Sequence, residues 1–245
     1  MIRNGKNYIS KSGFNLYGDC SLKYKLRYID KRKGKVSPYK AVAEFGNMIH
    51  DNIEHLTTSD LIVDGKIKPK KAYVRNKKLK INNKNYDLNE TKHMNNFFKI
   101  TNVLFKQSND IGHSIPIETE GHYFNDELKT HGFIDAVYRH YKDEGIILVD
   151  WKTGKQKDDA VCRKEMLFYA LTWNAEHEEK AKYVCMIFTK NGHIFLEPIT
   201  DKMLEDMTNQ ILEVHKMVDG GVFFKTFETW RCKYCEYYKN GCEGK

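Results

Sequence analysis

Residues 132–154 constrain this chain more than any other stretch. Gly132-Phe133-Ile134-Asp135 opens an apolar run and Asp143-Glu144-Gly145 interrupts it. Ile146 to Lys152 resumes it, ending in Asp150-Trp151-Lys152-Thr153-Gly154. β-Branched and aromatic residues on both sides of an Asp-Glu-Gly turn predict a β-hairpin. Strand side chains alternate between faces, so Asp150 and Lys152 share one side and Trp151 takes the other. A paired neighbouring strand brings Asp135 beside them. Two carboxylates and an ammonium at the end of an apolar hairpin are costly to bury unless the acids hold a cation. A surface hairpin with a solvated Asp150–Lys152 pair is the plainer alternative.

The rest of the sequence bounds what such a hairpin serves. With 245 residues, 40% hydrophobic and 30% charged, the chain suits a soluble globular fold with one sizeable core. No apolar run approaches a membrane span, and Met1-Ile2-Arg3-Asn4-Gly5-Lys6 lacks a secretion signal's apolar segment. A cytoplasmic protein with no membrane partner is expected. A net charge of +8 points to a polyanionic partner, and basic residues crowd positions 23–40 and 66–84.

Taken in order, a turn-like stretch at Ser10 and Ser12 precedes a helix expected to start near Asp19, a good N-cap residue. Ser37-Pro38 starts a second helix over residues 39–56, which carries Gly46-x-x-x-His50. Taken alone, a helical histidine is more often packed or solvated than a ligand. Residues 60–87 are rich in Lys and Asn with little periodicity, and read as a flexible basic insertion or a DNA-contacting loop. Met94, Phe97, Phe98, Leu104 and Phe105 place a core-facing helix within residues 88–107. A strand over 116–124, with Glu118 and Glu120 on one face, comes before the hairpin strands at 129–141 and 145–152. Asp158-Asp159 opens a helix over 160–175, Asn191-Gly192 joins strands at 182–189 and 193–199, and Thr200 caps a final helix. Helices, three strands, a helix, two strands and a helix predict an α/β fold: a central mixed sheet flanked by helices. A single domain over residues 1–245 is expected, with a mostly helical part (1–110), a core (111–218) and a cysteine segment (219–245).

Gly132-x-x-Asp135 followed by Asp150-x-Lys152-Thr153-Gly154 resembles the core of the PD-(D/E)XK nucleases in their RecB-like branch. The resemblance implies a restriction-endonuclease-like core and a metal-dependent DNA nuclease. Asp135 and Asp150 would bind Mg²⁺ or Mn²⁺, with His50 as a third ligand and the Trp151 carbonyl as a fourth. Lys152 would position or help deprotonate the attacking water and stabilise the charge that builds on phosphorus. The family's Gln-x-x-x-Tyr is matched by Tyr169 with Glu165 in place of the glutamine, and the two share a helix face. Glu165 then either lends a metal oxygen or points at the lysine; a solvated Glu beside a packed Tyr is the alternative. The implied substrate is DNA, single-stranded or at ends, and an exonuclease is expected over an endonuclease. Recombination, repair or replication is the implied setting, with room for a protein partner in such a complex. A catalytically weakened nucleic-acid-binding module of the same fold is the alternative, and Glu165 is its motive.

Six cysteines in a reducing compartment argue against disulfides. Cys162 and Cys185 fall within an expected helix and strand and read as packing residues. Cys232-x2-Cys235-x6-Cys242 with the distant Cys20 offers four thiolates, which by spacing alone suit zinc or an iron–sulfur cube. RecB-like nucleases with one early cysteine and a late group of this kind carry a 4Fe-4S cluster. The resemblance therefore implies that Cys20, Cys232, Cys235 and Cys242 ligate one cluster joining the two ends of the chain, with Zn²⁺ as runner-up. Ser10-x-Ser12 and Leu16 ahead of Cys20 fit that branch, with Ser21 where its members usually have proline.

Overall fold

The computed structural model describes all residues except 1, 4–5, 36–38, 59–61, 64–65, 68–75, 82–83, 106–115, 227–231, 234, 240 and 243–245. β1 (Ile2–Arg3) pairs with β2 (Lys6–Asn7), and β3 (Ile9–Ser10) leads into α1 (Lys11–Asp19), α2 (Ser21–Tyr24) and a π-helical turn (Lys25–Ile29). α3 (Lys40–Thr58) precedes two strand pairs, β4 (Ile62–Val63) with β5 (Lys66–Ile67) and β6 (Asn76–Ile81) with β7 (Lys84–Asn89). Then come α4 (Glu90–Leu104), β8 (Glu118–Asn125), β9 (Thr130–Arg139) and β10 (Ile146–Lys152). α5 (Asp159–Glu176), β11 (Ala181–Phe188), β12 (His193–Pro198) and α6 (Asp201–Asp219) follow.

Six strands form one mixed sheet in the order β12-β11-β10-β9-β3, with β8 also on β9. β10 and β11 are parallel because α5 crosses between them, whereas β11 and β12 turn back on each other at Gly192, whose φ is +74°. β8 lies antiparallel along residues 130–137 of β9. A strand has two edges, so β10 and β3 share the other one. β10 takes residues 136–139, and β3 takes Thr130 and His131. Residues 132–135 lie at the handover.

Alternation along β10 sends Ile146 and Leu148 to one side and Ile147, Val149 and Trp151 to the other. The first side packs on α1, α5 and α6 through Phe14, Phe168 and Met207, and the second on α3 and α4 through Ile49, Ile53 and Phe97. Every residue of α5 from Glu165 to Trp173 is buried, because the helix is wedged between the sheet and two neighbouring helices. Each large apolar side chain buried this way, such as Phe168, stabilises the fold by about 2 kcal/mol.

Three expectations are corrected. The helix expected near Asp19 is present from Ser21, with Cys20 rather than Asp19 before it, and an unforeseen helix precedes it from Lys11, where Ser10 Oγ accepts from Gly13 N at 3.1 Å. Ser10 supplies the cap, and Phe14 and Tyr17 bury that turn. Residues 60–87 contain short strand pairs, including the six-residue β6–β7 hairpin, whose alternation is hidden in the sequence by a surplus of Lys and Asn. The N-terminal part also gives a strand, β3, to the core sheet. Ser37-Pro38 and the expected boundary at residues 110 and 111 lie outside the described residues.

His93 links α4 to the end of β11. It is buried, its Nδ1 lies 2.7 Å from Thr189 Oγ1, and Asn96 Nδ2 donates to Thr189 O at 2.7 Å. Burial, then Lys190 and Lys92, lower its pKa from 6.5 to about 4. The unfolded chain therefore takes up a proton there first as pH falls, so stability is lost from about pH 6.5 downwards. The gap from 6.5 to about 4 corresponds to about 3 kcal/mol. His93→Asn is expected to flatten the acid limb of stability between those values while lowering stability at pH 7.5. Urea unfolding at both ends of the range measures this, and an unchanged acid limb would assign the loss to other groups.

Candidate active site

The handover on β9 creates the site. Asp135 stands where β10 parts from β9, and its Oδ2 accepts from the Trp151 backbone N–H at 2.6 Å. The carboxylate takes the place of a ladder acceptor that a continuous strand would have offered. Gly132, three residues earlier, faces Tyr169 of α5. A Cβ there would lie 2.7 Å from Tyr169 Cδ1, so only glycine lets the ring approach. The spacing Gly132-x-x-Asp135 thus joins a tyrosine seat to a forked strand.

From the other layer, α3 brings His50, with Nδ1 3.5 Å from Asp135 Oδ2. Gly46, one turn earlier on α3, is close to Thr153; a Cβ would sit 3.1 Å from Thr153 Oγ1. The Gly46-x-x-x-His50 spacing is therefore a close helix-to-strand approach followed by a side chain that reaches the fork. Glu120 completes the group: His50, Glu120 and Asp135 each place a ligand atom within 4.8 Å of the others. Glu118 and Glu120 do not share a face, contrary to expectation. Glu120 has φ +49°, which reverses the alternation. Glu118 accepts from Tyr123 Oη and lies 3.8 Å from His177 behind α5, whereas Glu120 faces the α3 cleft with Asp51 and Glu54. Loss of solvation first, then repulsion from Asp135, pushes Glu120 up to about 7. Burial first, then Asp150, pushes Asp135 up to about 6. Glu120 is exposed and Asp135 partly buried, and a divalent cation held between them would relieve their repulsion.

Asp150 and Lys152 share the side of β10 that faces α5. Asp150 is 1% exposed and paired with Lys152 through Oδ2. Burial opposes its charge, but Lys152 and then Lys11 hold its pKa below the ordinary carboxylate value. Burial likewise opposes the Lys152 ammonium, but Asp150 and then Asp135 raise its pKa. Glu165 is buried, and its two oxygens are taken by Lys157 and by Lys11, the latter at 3.2 Å. Those two lysines lower its pKa against the effect of burial. The Lys11 ammonium also lies 5.2 Å from the centre of the Tyr169 ring. Burial, then Asp150, raises Tyr169 well above its ordinary pKa, so its hydroxyl keeps its proton.

The structure thus draws His50, Asp135, Asp150, Lys152, Glu165 and Tyr169 around one fork, with Asp150 on the α5 side and His50 on the α3 side. Trp151 contributes its amide to Asp135, and its indole packs against Phe97 at 5.0 Å. Sequence reading missed three members: Glu120, Lys11 and Lys157. The sharp turn of the backbone at Glu120 leaves no mark in its residue type. Lys11 is remote in sequence, and its signal was the Ser10 cap, which fixes the first turn of α1 beside α5.

Cys20, Cys232, Cys235 and Cys242 are free thiols that line one cavity of about 270 Å³, together with Leu22, Leu26 and Tyr237. The two ends of the chain are held there by Leu22 N–H donating to Phe224 O at 2.9 Å and Tyr17 Oη donating to Val222 O at 2.6 Å. Cys162 and Cys185 are buried in the core, and burial raises both thiol pKa values, to about 11 for Cys162.

The Lys11–Glu165–Lys157 group sets an expected coupling. Lys11→Met leaves Glu165 with one partner and is expected to cost about 1–2 kcal/mol of stability, less than an orphaned buried ion because Lys157 remains. In Glu165→Gln the same lysine change is expected to cost about 1 kcal/mol less. A denaturant double-mutant cycle reads the coupling; strictly additive changes would mean that the pair does not interact.

The model of the PD-(D/E)XK nuclease superfamily matches residues 8–242. No curated protein matches the chain. Among solved structures, SSO0001 is 12% identical and aligns over 100% of this chain and 90% of its own, with a TM-score of 0.46. A Eubacterium rectale protein named as a candidate exonuclease is 13% identical over 93% of this chain and 88% of its own, with a TM-score of 0.44. With the family model matched along almost the whole sequence, and a mixed sheet flanked by helices beneath it, this chain belongs to the PD-(D/E)XK nuclease superfamily.

Proposed function

We propose that this protein is a divalent-metal-dependent DNA nuclease of the RecB-like branch, an exonuclease acting on single-stranded DNA or DNA ends. The observation that carries the reading is the fork itself. Asp135, pushed up to about 6, stands against an ionised Asp150 that is paired with Lys152, and His50 and Glu120 close the acid side. Asp135, His50 and Glu120 would hold Mg²⁺ or Mn²⁺, with Asp150 and the Trp151 carbonyl as further oxygens at the fork. The imidazole favours Mn²⁺ somewhat. The bound metal supplies Lewis acidity to the phosphoryl oxygen and a water of lowered pKa. Lys152, kept as an ammonium by Asp150, stabilises the charge that builds at phosphorus and orients the water rather than removing its proton. Lys11 and Tyr169 border the same space and offer an ammonium and a protonated hydroxyl to a phosphate. Glu165 does not repel the substrate in this reading, because Lys11 and Lys157 already neutralise it. This pairing supports an active nuclease over a catalytically weakened binding module.

End-labelled single- and double-stranded DNA incubated with Mn²⁺, Mg²⁺ or EDTA tests the reading directly. Asp150→Asn keeps the side-chain volume and is expected to lower cleavage about a thousandfold or more. DNA binding should stay within about threefold, since spread Lys and Arg residues carry phosphate affinity. Wild-type rates in Asp150→Asn would remove this fork as the active site.

Cys20, Cys232, Cys235 and Cys242 line one cavity, and on the resemblance to iron–sulfur RecB-like nucleases we assign them to a 4Fe-4S cube, with zinc as runner-up. By analogy with a cross-link, a staple from Cys20 to the late group contributes about 5 kcal/mol. Cys20→Ser is expected to lose visible colour and iron and to melt lower, as Cys235→Ser does, whereas Cys162→Ser keeps its iron. Iron, sulfide and zinc analysis after anaerobic purification decides it, and stoichiometric zinc in the wild type would replace the cluster.

A further inference from the structure

The face of β8 and β9 that carries Glu120 continues away from the acid cleft as a row of rings. His122 pairs across the strands with Phe133, and Phe124 with His131. The His122 and Phe133 rings stack at 3.9 Å with 15° between their planes, and Phe124 and His131 lie 5.8 Å apart at 25°. Phe133 is 51% exposed although it belongs to a central strand of the sheet. His122 covers one face of the phenyl ring, so the exposure falls on its opposite face and edge. Gly132 and Ile134 point to the α5 side, so Phe133 shares its side with the cleft. It stands two residues before Asp135, and His122 two residues after Glu120, which places the stacked pair about 7 Å from the acids along the strands. Past His131 the row opens into a cavity of about 930 Å³ lined also by Tyr28, Lys31 and Lys129. Acids and then an open ring follow one another along that face, whereas the cavity beyond is shared with Gly13 of α1 and His215 and Asp219 of α6, from the opposite layer.

We propose that Phe133, backed by His122, is a stacking platform for an unpaired nucleobase of the strand whose backbone reaches the cleft. This rests on the nuclease reading above and adds to it the residue that selects unpaired strands. An open aromatic face is the chemistry that binds single strands without regard to sequence, since every base has a π-face. In a duplex the base faces are already stacked, so the platform gains nothing from one. The platform is continuous with the acid cleft, and a strand with one phosphate at the metal ligands places a neighbouring base near Phe133.

Binding is measured in EDTA, so that no cleavage is needed, using fluorescein-labelled oligothymidylate, oligouridylate and a blunt DNA duplex. Phe133→Ala and Phe133→Leu are each expected to weaken oligothymidylate binding about tenfold, with duplex binding within about twofold and Phe133→Trp at wild-type affinity or tighter. A 2-aminopurine in the strand should be quenched by the wild type and less so by Phe133→Leu. Equal loss with oligouridylate would extend the platform to RNA, and loss with oligothymidylate alone would restrict it to DNA. Unchanged single-strand affinity and quenching in both Phe133→Ala and Phe133→Leu, with unaltered melting, would overturn the proposal while leaving metal-dependent cleavage untouched. A wild type that cleaves nothing, but whose Phe133 variants lose single-strand binding, would overturn the nuclease reading and leave the platform.

Discussion

The structure depends on one hydrogen bond, from the Trp151 amide to the Asp135 carboxylate. β9 has a single edge to offer both β10 and β3, and it serves them at different points along its length. Where the two diverge, a buried amide of β10 would lack an acceptor, and an unpaired buried N–H is expensive. The Asp135 side chain supplies that acceptor at the cost of burying a carboxylate near Asp150. That cost shows in its raised pKa, up to about 6. The same geometry opens the sheet and concentrates charge in the opening. The break in the strand ladder and the candidate reactive centre are therefore one place.

Charge around the fork is divided by the sheet. On the α3 side stand His50, Asp51, Glu54 and Glu120, which together suit a cation. On the α5 side, Asp150 and Glu165 are outnumbered by Lys152, Lys11 and Lys157, which suits a phosphate. A phosphodiester lying across the fork meets a cation on one flank and ammonium groups on the other. The same division splits the carboxyl pKa values: burial and then Asp150 raise Asp135, whereas Lys152 and then Lys11 lower Asp150 against its burial.

What the sequence revealed follows from how local each feature is. Strand alternation placed Asp150 and Lys152 together, and the caps at Asp158 and Thr200 fixed the starts of α5 and α6 within a residue. These features need only near neighbours. The handover at residues 132–135 was invisible because it arises from competition between two distant strands for one edge. Glu120 was placed on the wrong face because a single positive φ, set by that opening, overrode period-two alternation. Glu165 looked anomalous in sequence because its partner Lys11 lies 154 positions away. The helix expected near Asp19 begins at Ser21 with Cys20 at its cap, whereas α1, capped by Ser10 and buried through Gly13, Phe14 and Tyr17, was not foreseen.

α1 connects the two chemically distinctive regions of the molecule. Its first residue, Lys11, reaches Glu165 and Tyr169, and Cys20, immediately after its last residue, lines the cavity of thiols. Nine residues span only about 14 Å, and a helix this short transmits position along its axis without bending. Ser10 fixes the near end through its cap, and β3 ties that end to β9. The far end is held by the Tyr17 hydroxyl donating to Val222 O and, just past the helix, by the Leu22 N–H donating to Phe224 O. With a cluster ligated by Cys20, as proposed, that end would be clamped covalently, and freedom at Cys20 would become freedom at Lys11. A metal group remote from the scissile phosphate can then matter to catalysis through the placement of one ammonium, without taking part in the chemistry.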